Sequence, residues 1–175
     1  MATKASIGGH PIHPMLVTLP IGLWVTSFAF DIWFYFNRNT SWLLVSKSMI
    51  AAGCLGAIAA AVFGIIDWTG LKEPRVVKIA NWHARLNVAA LVVFAISLYF
   101  RMHKFGGGDM VGNKLTIPFL LSFVGVILIG ISGWLGGEMV YRHGVAVEER
   151  GASATSQSAK PGLENGAGSR AASGR

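Results

Sequence analysis

The sequence has 175 residues, of which 53% are hydrophobic and 13% are charged, about half the charged fraction of a typical soluble domain. This composition excludes an ordinary water-soluble globule and predicts one membrane-embedded domain. The net charge of +7 is dispersed between apolar runs and forms no periodic basic face, so we expect no nucleic-acid partner.

Four apolar runs predict four transmembrane helices, at about 14–36, 45–68, 84–101 and 115–140. Each run is long enough to cross a hydrocarbon core about 30 Å thick as a helix. Short connections favour an all-α fold, an integral membrane up-down-up-down bundle with both chain ends on one side. A 3+1 packing of the helices is the alternative.

The transmembrane domain is expected to cover residues 1–147. The polar segment 69–81 predicts an interfacial stretch that lies on the membrane surface. Residues 148–175 are rich in Gly, Ser and Ala, which predicts a disordered tail. Lysine and arginine are slightly more numerous on the side of the chain ends, so the positive-inside rule predicts cytoplasmic termini in a multi-pass protein.

Acidic residues inside the apolar runs are informative, because an Asp at a helix centre costs roughly 2.5–3.5 kcal/mol. Asp31 lies 18 residues after His13, which is five helical turns, so both project from one face of the first helix. Arg38 and Arg101 are candidate partners for the Asp31 carboxylate. Asp67 continues a strip of small residues on the second helix, and a capping or solvated Asp at the span end is the competing interpretation.

Folding the four helices up and down collects polar side chains at the membrane face that contains the chain ends. Histidines occur there at the start of the first and third helices and after the fourth, and carboxylates close the second and fourth. The residues that share this face are His10, His13, Asp67, His83, Glu138 and His143. We therefore predict that a functional site lies at this face.

Imidazoles that converge from different helices are suited to ligate haem iron or a transition metal. Because Cys54 is the single cysteine, the chain contains no cysteine-ligated haem or iron–sulfur cluster of its own. For haem b the predicted ligands are His13 and His83. The residues expected around that haem are Arg85 at a propionate and Asn87, Asp67 or Tyr141 as hydrogen-bond partners.

For a transition metal the predicted ligands are His13, Asp67, His83 and Glu138. The alternative without a cofactor is equally simple. His10 to Pro14 then form a rigid, extended entry into the first helix, and His83 is a polar residue at a helix start.

The opening residues 9–17 (GHPIHPMLV), followed by 19–22 (LPIG) and Asp31, resemble a bacterial family of four-helix membrane proteins of unknown function. Trp82-His83 and residues 136–145 extend the resemblance. Some members of that family are fused to Rieske-type iron–sulfur or cytochrome-like domains. The resemblance therefore implies a place near electron transfer in a bacterial inner membrane, with a separate chain as the redox partner. Thr18 stands where many relatives have a histidine, which removes one ligand.

Three functions from different classes agree with these patterns. The leading hypothesis is a haem-binding or redox-partner subunit that is not an enzyme on its own. The second is a cofactor-free scaffold that anchors a partner through glycine-lined helices. The third is a small ion or proton transporter that uses Asp31 and Asp67, for which a homodimer is expected because four helices enclose little lumen.

Overall fold

The computed structural model describes residues 4–103 and 116–147. Two short strands, β1 (Ser6–Ile7) and β2 (His10–Pro11), pair antiparallel before the helices begin. Gly8 and Gly9 form the turn between them with φ of 58° and 81°, a conformation that favours glycine at both central positions of a two-residue hairpin. The predicted tail, 148–175, lies outside the described residues.

Five helices follow the hairpin within the described part of the chain. A short helix, α1 (Ile12–Leu16), leads through Val17 into α2 (Thr18–Asn37). The remaining helices are α3 (Ser41–Trp68), α4 (Pro74–His103) and α5 (Thr116–Tyr141). The segments Ile12–Asn37, Ser41–Trp68, Pro74–His103 and Thr116–Tyr141 are long and apolar enough to cross a membrane. The prediction of four transmembrane helices is therefore confirmed.

The helices form an antiparallel bundle. The main contacts are between α2 and α3 and between α4 and α5, and contacts of α3 with α4 and of α2 with α5 complete the arrangement. Neighbouring helices run in opposite directions. Contacts pair His13 with Ala60 and Trp24 with Ile50 between the first span and α3, and His83 with Ser132 and Ser97 with Pro118 between α4 and α5. Between α3 and α4, Trp68 meets Asn81 and Ser46 meets Arg101. This is the up-down-up-down order, and both described chain ends lie on one side.

A stacked aromatic pair fills the centre of the bundle. Trp24 of α2 lies against Phe94 of α4 with ring centroids 4.3 Å apart, and both side chains are buried. Glycines make room for the two rings. A Cβ at Gly53 would come within 2.5 Å of the Trp24 indole, and a Cβ at Gly125 within 2.5 Å of the Phe94 ring. The small residues therefore fix how closely the helices approach.

The start of α4 differs from the prediction. The helix begins at Pro74 and not near residue 84, so most of the segment predicted to lie on the membrane surface is the first part of a long helix. Val76 and Ala80 are buried in the bundle. The lysines and arginines in this segment raise its average polarity, although one face of the helix is continuously apolar. Pro74 occupies the first helical position, where the backbone N–H has no hydrogen-bond partner within the helix.

Candidate functional site

Two histidines from different helices lie side by side inside the bundle. His13 of α1 and His83 of α4 have ring centroids 6.3 Å apart, with ring planes at 87°. The Nδ1–H of His13 donates to the carbonyl oxygen of Ala60 at 2.8 Å, and the Nδ1–H of His83 donates to that of Ser132 at 2.8 Å. Because a carbonyl oxygen only accepts, Nδ1 of each ring carries a proton, and in a neutral imidazole Nε2 then carries the lone pair.

Glycines on the facing helices make this placement of the rings feasible. A Cβ at Gly64 of α3 would lie 2.8 Å from Cε1 of His13, and a Cβ at Gly136 of α5 would lie 3.2 Å from Cε1 of His83. Any larger residue at 64 would push against the imidazole. Gly64 and Gly136 therefore provide space for the two imidazole rings, in addition to allowing close helix packing.

Polar neighbours on α4 and α5 surround His83. Asn87, one turn further along α4, donates from Nδ2 to the Nε2 of His83 at 3.0 Å. The hydroxyl of Ser132 donates to the backbone oxygen of His83 at 3.2 Å. Asn87 was predicted from its one-turn spacing, whereas Ser132 was not among the predicted residues. The signal for Ser132 was present, because it is one of two serines in the apolar run of α5 and is 1% exposed.

The structure does not bring the two carboxylates of the predicted metal set to the imidazoles. Asp67 accepts a hydrogen bond at Oδ1 from the backbone N–H of Ala5 at 2.8 Å, so it ties the hairpin to the end of α3. Glu138 pairs with Arg142 at 3.3 Å on the surface. Within residues 4–103 and 116–147, no three or more His, Cys, Asp or Glu side chains form a group that could hold a metal ion.

The other predicted residues also lie apart from the pair. Arg85 places its guanidinium over the Trp82 ring at 5.3 Å, on the outer side of α4. Tyr141 is 89% exposed. His10 is exposed in β2, and His143 lies half-buried in the turn after α5. The assembled part of the predicted site is therefore His13, His83 and Asn87.

A second polar cluster lies inside the bundle towards the opposite end. Arg101 of α4 donates from Nη1 and Nη2 to the two carboxylate oxygens of Asp31 at 2.9 and 2.5 Å. The side chains are 4% and 2% exposed. Three serine hydroxyls complete the network and were not among the predicted residues. They are Ser46, Ser97 and Ser122.

The partner of Asp31 is therefore Arg101 and not Arg38. Arg38 adopts a left-handed conformation, φ 57°, that ends α2, and its guanidinium lies 5.7 Å from the Tyr35 ring centroid. Asp31 and Asp67 have separate partners at opposite ends of the bundle, and the structure joins them by no polar chain among the described residues. In the part of the chain that the structure describes, every buried side-chain nitrogen and oxygen has a hydrogen-bond partner.

Comparison with known proteins identifies the family to which the chain belongs. A family model described as "Predicted membrane protein (DUF2231)" matches residues 9–149, which include all four long helices and both histidines of the pair. No curated protein and no solved structure matches the chain. The resemblance to a membrane family of unknown function is confirmed.

Proposed function

The chain belongs to the DUF2231 family of predicted membrane proteins, and from this premise we propose that it is a haem-binding subunit of membrane electron transfer. In this proposal the imidazoles of His13 and His83 would hold a haem b. The observation that carries it is the pairing of two imidazoles from separate helices, 6.3 Å apart, each with its Nδ1–H on a backbone carbonyl.

The donor set favours haem over a bare metal ion. Protein sites for zinc and similar ions use three or four protein ligands. The described residues offer two imidazoles here without a third ligand. Haem iron needs no more than two axial protein ligands, because the porphyrin supplies the other four nitrogens. A bound haem would supply reversible one-electron transfer at this position.

The hydrogen bonds of the two rings also suit iron ligation. An imidazole that binds a metal through one nitrogen usually donates its other N–H to a carbonyl or carboxylate, which fixes the tautomer and raises ligand basicity. Both histidines have this arrangement through Ala60 and Ser132. Ligation also requires Asn87 to release the Nε2 of His83.

We further propose that the protein lies in the inner membrane of a bacterium and that this end of the bundle faces the cytoplasm. A Rieske-type or cytochrome-like protein would bind at this end as a separate redox partner. The slight excess of cations at this end supports the orientation. Reporter fusions test it directly. A periplasm-active reporter should be inactive after residue 147 and active when inserted in segment 104–115. The reverse pattern would contradict the orientation.

The test of haem binding is the absorption spectrum of full-length protein, purified in detergent after expression with ample haem. We expect a Soret band that shifts on reduction and one haem per chain by pyridine haemochrome assay. His13→Ala and His83→Ala should each remove the band. Matched controls are His10→Ala and His103→Ala, whose imidazoles are exposed outside the pair and which should leave the band in place.

A colourless wild-type protein would overturn this proposal. The scaffold hypothesis makes the opposite prediction, namely a partner protein that co-purifies equally well with His13→Ala and His83→Ala.

A further inference from the structure

An apolar groove runs along the outer side of α4 and α5, near the end that contains the hairpin. Its volume is about 420 Å³, and it is separate from the inward-facing imidazole pair. The groove is lined by Lys78, Ile79, Trp82, Leu86, Ile131 and Leu135. From Lys78 to Leu86 the helix rises about 12 Å, so the groove has one cationic end and an apolar length of two helical turns.

A stripe of cations on α4 lies beside this groove. Arg75, Lys78, Trp82 and Arg85 follow one another at spacings of three, four and three residues, which places them on one helix face. All four side chains are exposed. The guanidinium of Arg85 lies over the Trp82 ring at 5.3 Å, and a tryptophan in this setting is typical of the membrane–water interface.

Among the described residues, no acidic side chain, including the nearby Glu73, forms an ion pair with Arg75, Lys78 or Arg85. The two ion pairs in the described part of the chain are Asp31 with Arg101 and Glu138 with Arg142. Asp67 is engaged with the Ala5 N–H. The positive charge of Arg75, Lys78 and Arg85 therefore remains available at the mouth of an apolar groove.

From these observations we infer that the groove is a binding site for an anionic phospholipid. One acyl chain lies along Ile79, Leu86 and Leu135. The headgroup phosphate meets the Lys78 ammonium and the neighbouring guanidinium of Arg75. Basic pockets beside membrane helices bind anionic headgroups by this combination of charge and apolar contact. The site does not use either imidazole, so lipid binding can be confirmed or contradicted independently of haem binding.

Native mass spectrometry of the full-length protein tests the site. The protein is equilibrated in detergent with equal amounts of phosphatidylglycerol and phosphatidylcholine that have identical acyl chains. We expect wild-type protein to retain phosphatidylglycerol at least fivefold more than phosphatidylcholine. Lys78→Gln should lower phosphatidylglycerol retention about fivefold, the effect of one cation near a headgroup. The matched control Lys47→Gln, on α3 at the opposite end, should leave retention unchanged.

A second variant separates the acyl-chain contact from the charge. Leu135→Trp fills the groove, leaves all the cations in place, and should lower retention of both lipids. Equal retention of the two lipids by wild-type protein, or unchanged retention by Lys78→Gln, would overturn the inference. So would efficient disulfide crosslinking between two copies through Ile131→Cys in the membrane, because that result would assign the groove to a second copy of the chain.

Discussion

Arg101 and Asp31 form a two-pronged ion pair that joins α4 to α2 through the interior of the bundle. The two residues are 70 positions apart in the sequence, and together they carry no net charge. Ser46 donates to the Asp31 carboxylate at 2.7 Å, and the guanidinium also reaches hydroxyls on α4 and α5. One cluster therefore connects all four long helices.

Removing the charge of Asp31 should destabilise the bundle. Asp31→Asn preserves the shape of the side chain but leaves the Arg101 guanidinium buried without a counter-ion, and breaking a buried pair in this way costs about 3–5 kcal/mol. The free energy of unfolding in mixed micelles, measured by denaturing-detergent titration, checks this value. Asp31→Asn combined with Arg101→Met removes both charges and should recover most of the loss. Wild-type stability of the single variant would contradict the structural role of the pair.

Two glycines of α5 provide a matched test of packing. A Cβ at Gly125 would lie 2.5 Å from the Phe94 ring, which is fully buried and stacked on Trp24. Gly125→Ala should therefore lower the free energy of unfolding by about 1–3 kcal/mol, the usual effect of overpacking. At Gly130 no atom lies within 4 Å of the added Cβ. Gly130→Ala should be neutral or stabilising because alanine favours the helix, and equal losses for both variants would contradict the packing described here.

Asn87 gives a further test of the proposed haem site. In the structure its amide donates to the Nε2 of His83, and a haem held as proposed would compete for that nitrogen. Asn87→Leu should destabilise the haem-free protein by about 1–3 kcal/mol, because Nε2 loses its donor, and should preserve the Soret band. Thermal unfolding with and without haem should thus show a larger stabilisation by haem in Asn87→Leu than in wild type. An equal loss in both forms would contradict the exchange of partners at Nε2.

Asp67 should hold the hairpin against the end of α3. Its carboxylate accepts from the Ala5 N–H at 2.8 Å, and Lys4 adds a hydrogen bond to the Thr69 carbonyl at 3.2 Å. A hydrogen bond to a charged group contributes about 1.5–3 kcal/mol, so Asp67→Ala should speed hydrogen exchange of the Ala5 amide at least tenfold. Asp67→Asn keeps an acceptor oxygen and should give a smaller change. Equal exchange rates in wild type and Asp67→Ala would show that this contact does not anchor the hairpin.

The spans and their order followed from the sequence because both depend on local properties. The length of the apolar runs and the short connections between them suffice to predict four antiparallel helices. The early start of α4 was missed, since average polarity there is high. Residue-by-residue periodicity carries the signal, because Val76, Ala80, Ala90, Phe94 and Arg101 are buried along one face.

The site was predictable where topology alone brings residues together. His13 and His83 meet because an up-down-up-down order places α1 and the first third of α4 towards the same end of the bundle. Asp67 and Glu138 lie at the same face but find local partners, the Ala5 N–H and Arg142. The rotation of each helix and the docking of the hairpin determine which partner each carboxylate contacts. Neither can be predicted from the spacing of residues along the chain.

The distance in sequence between Asp31 and Arg101 sets an order of events during synthesis. Arg101 leaves the ribosome 70 residues after Asp31, which is roughly 4–14 s at about 5–20 residues per second. Until then the Asp31 carboxylate has Ser46 of α3 within reach, but not the guanidinium that pairs with it in the folded bundle. The ion pair that joins α2 to α4 therefore forms only after the ribosome has delivered Arg101.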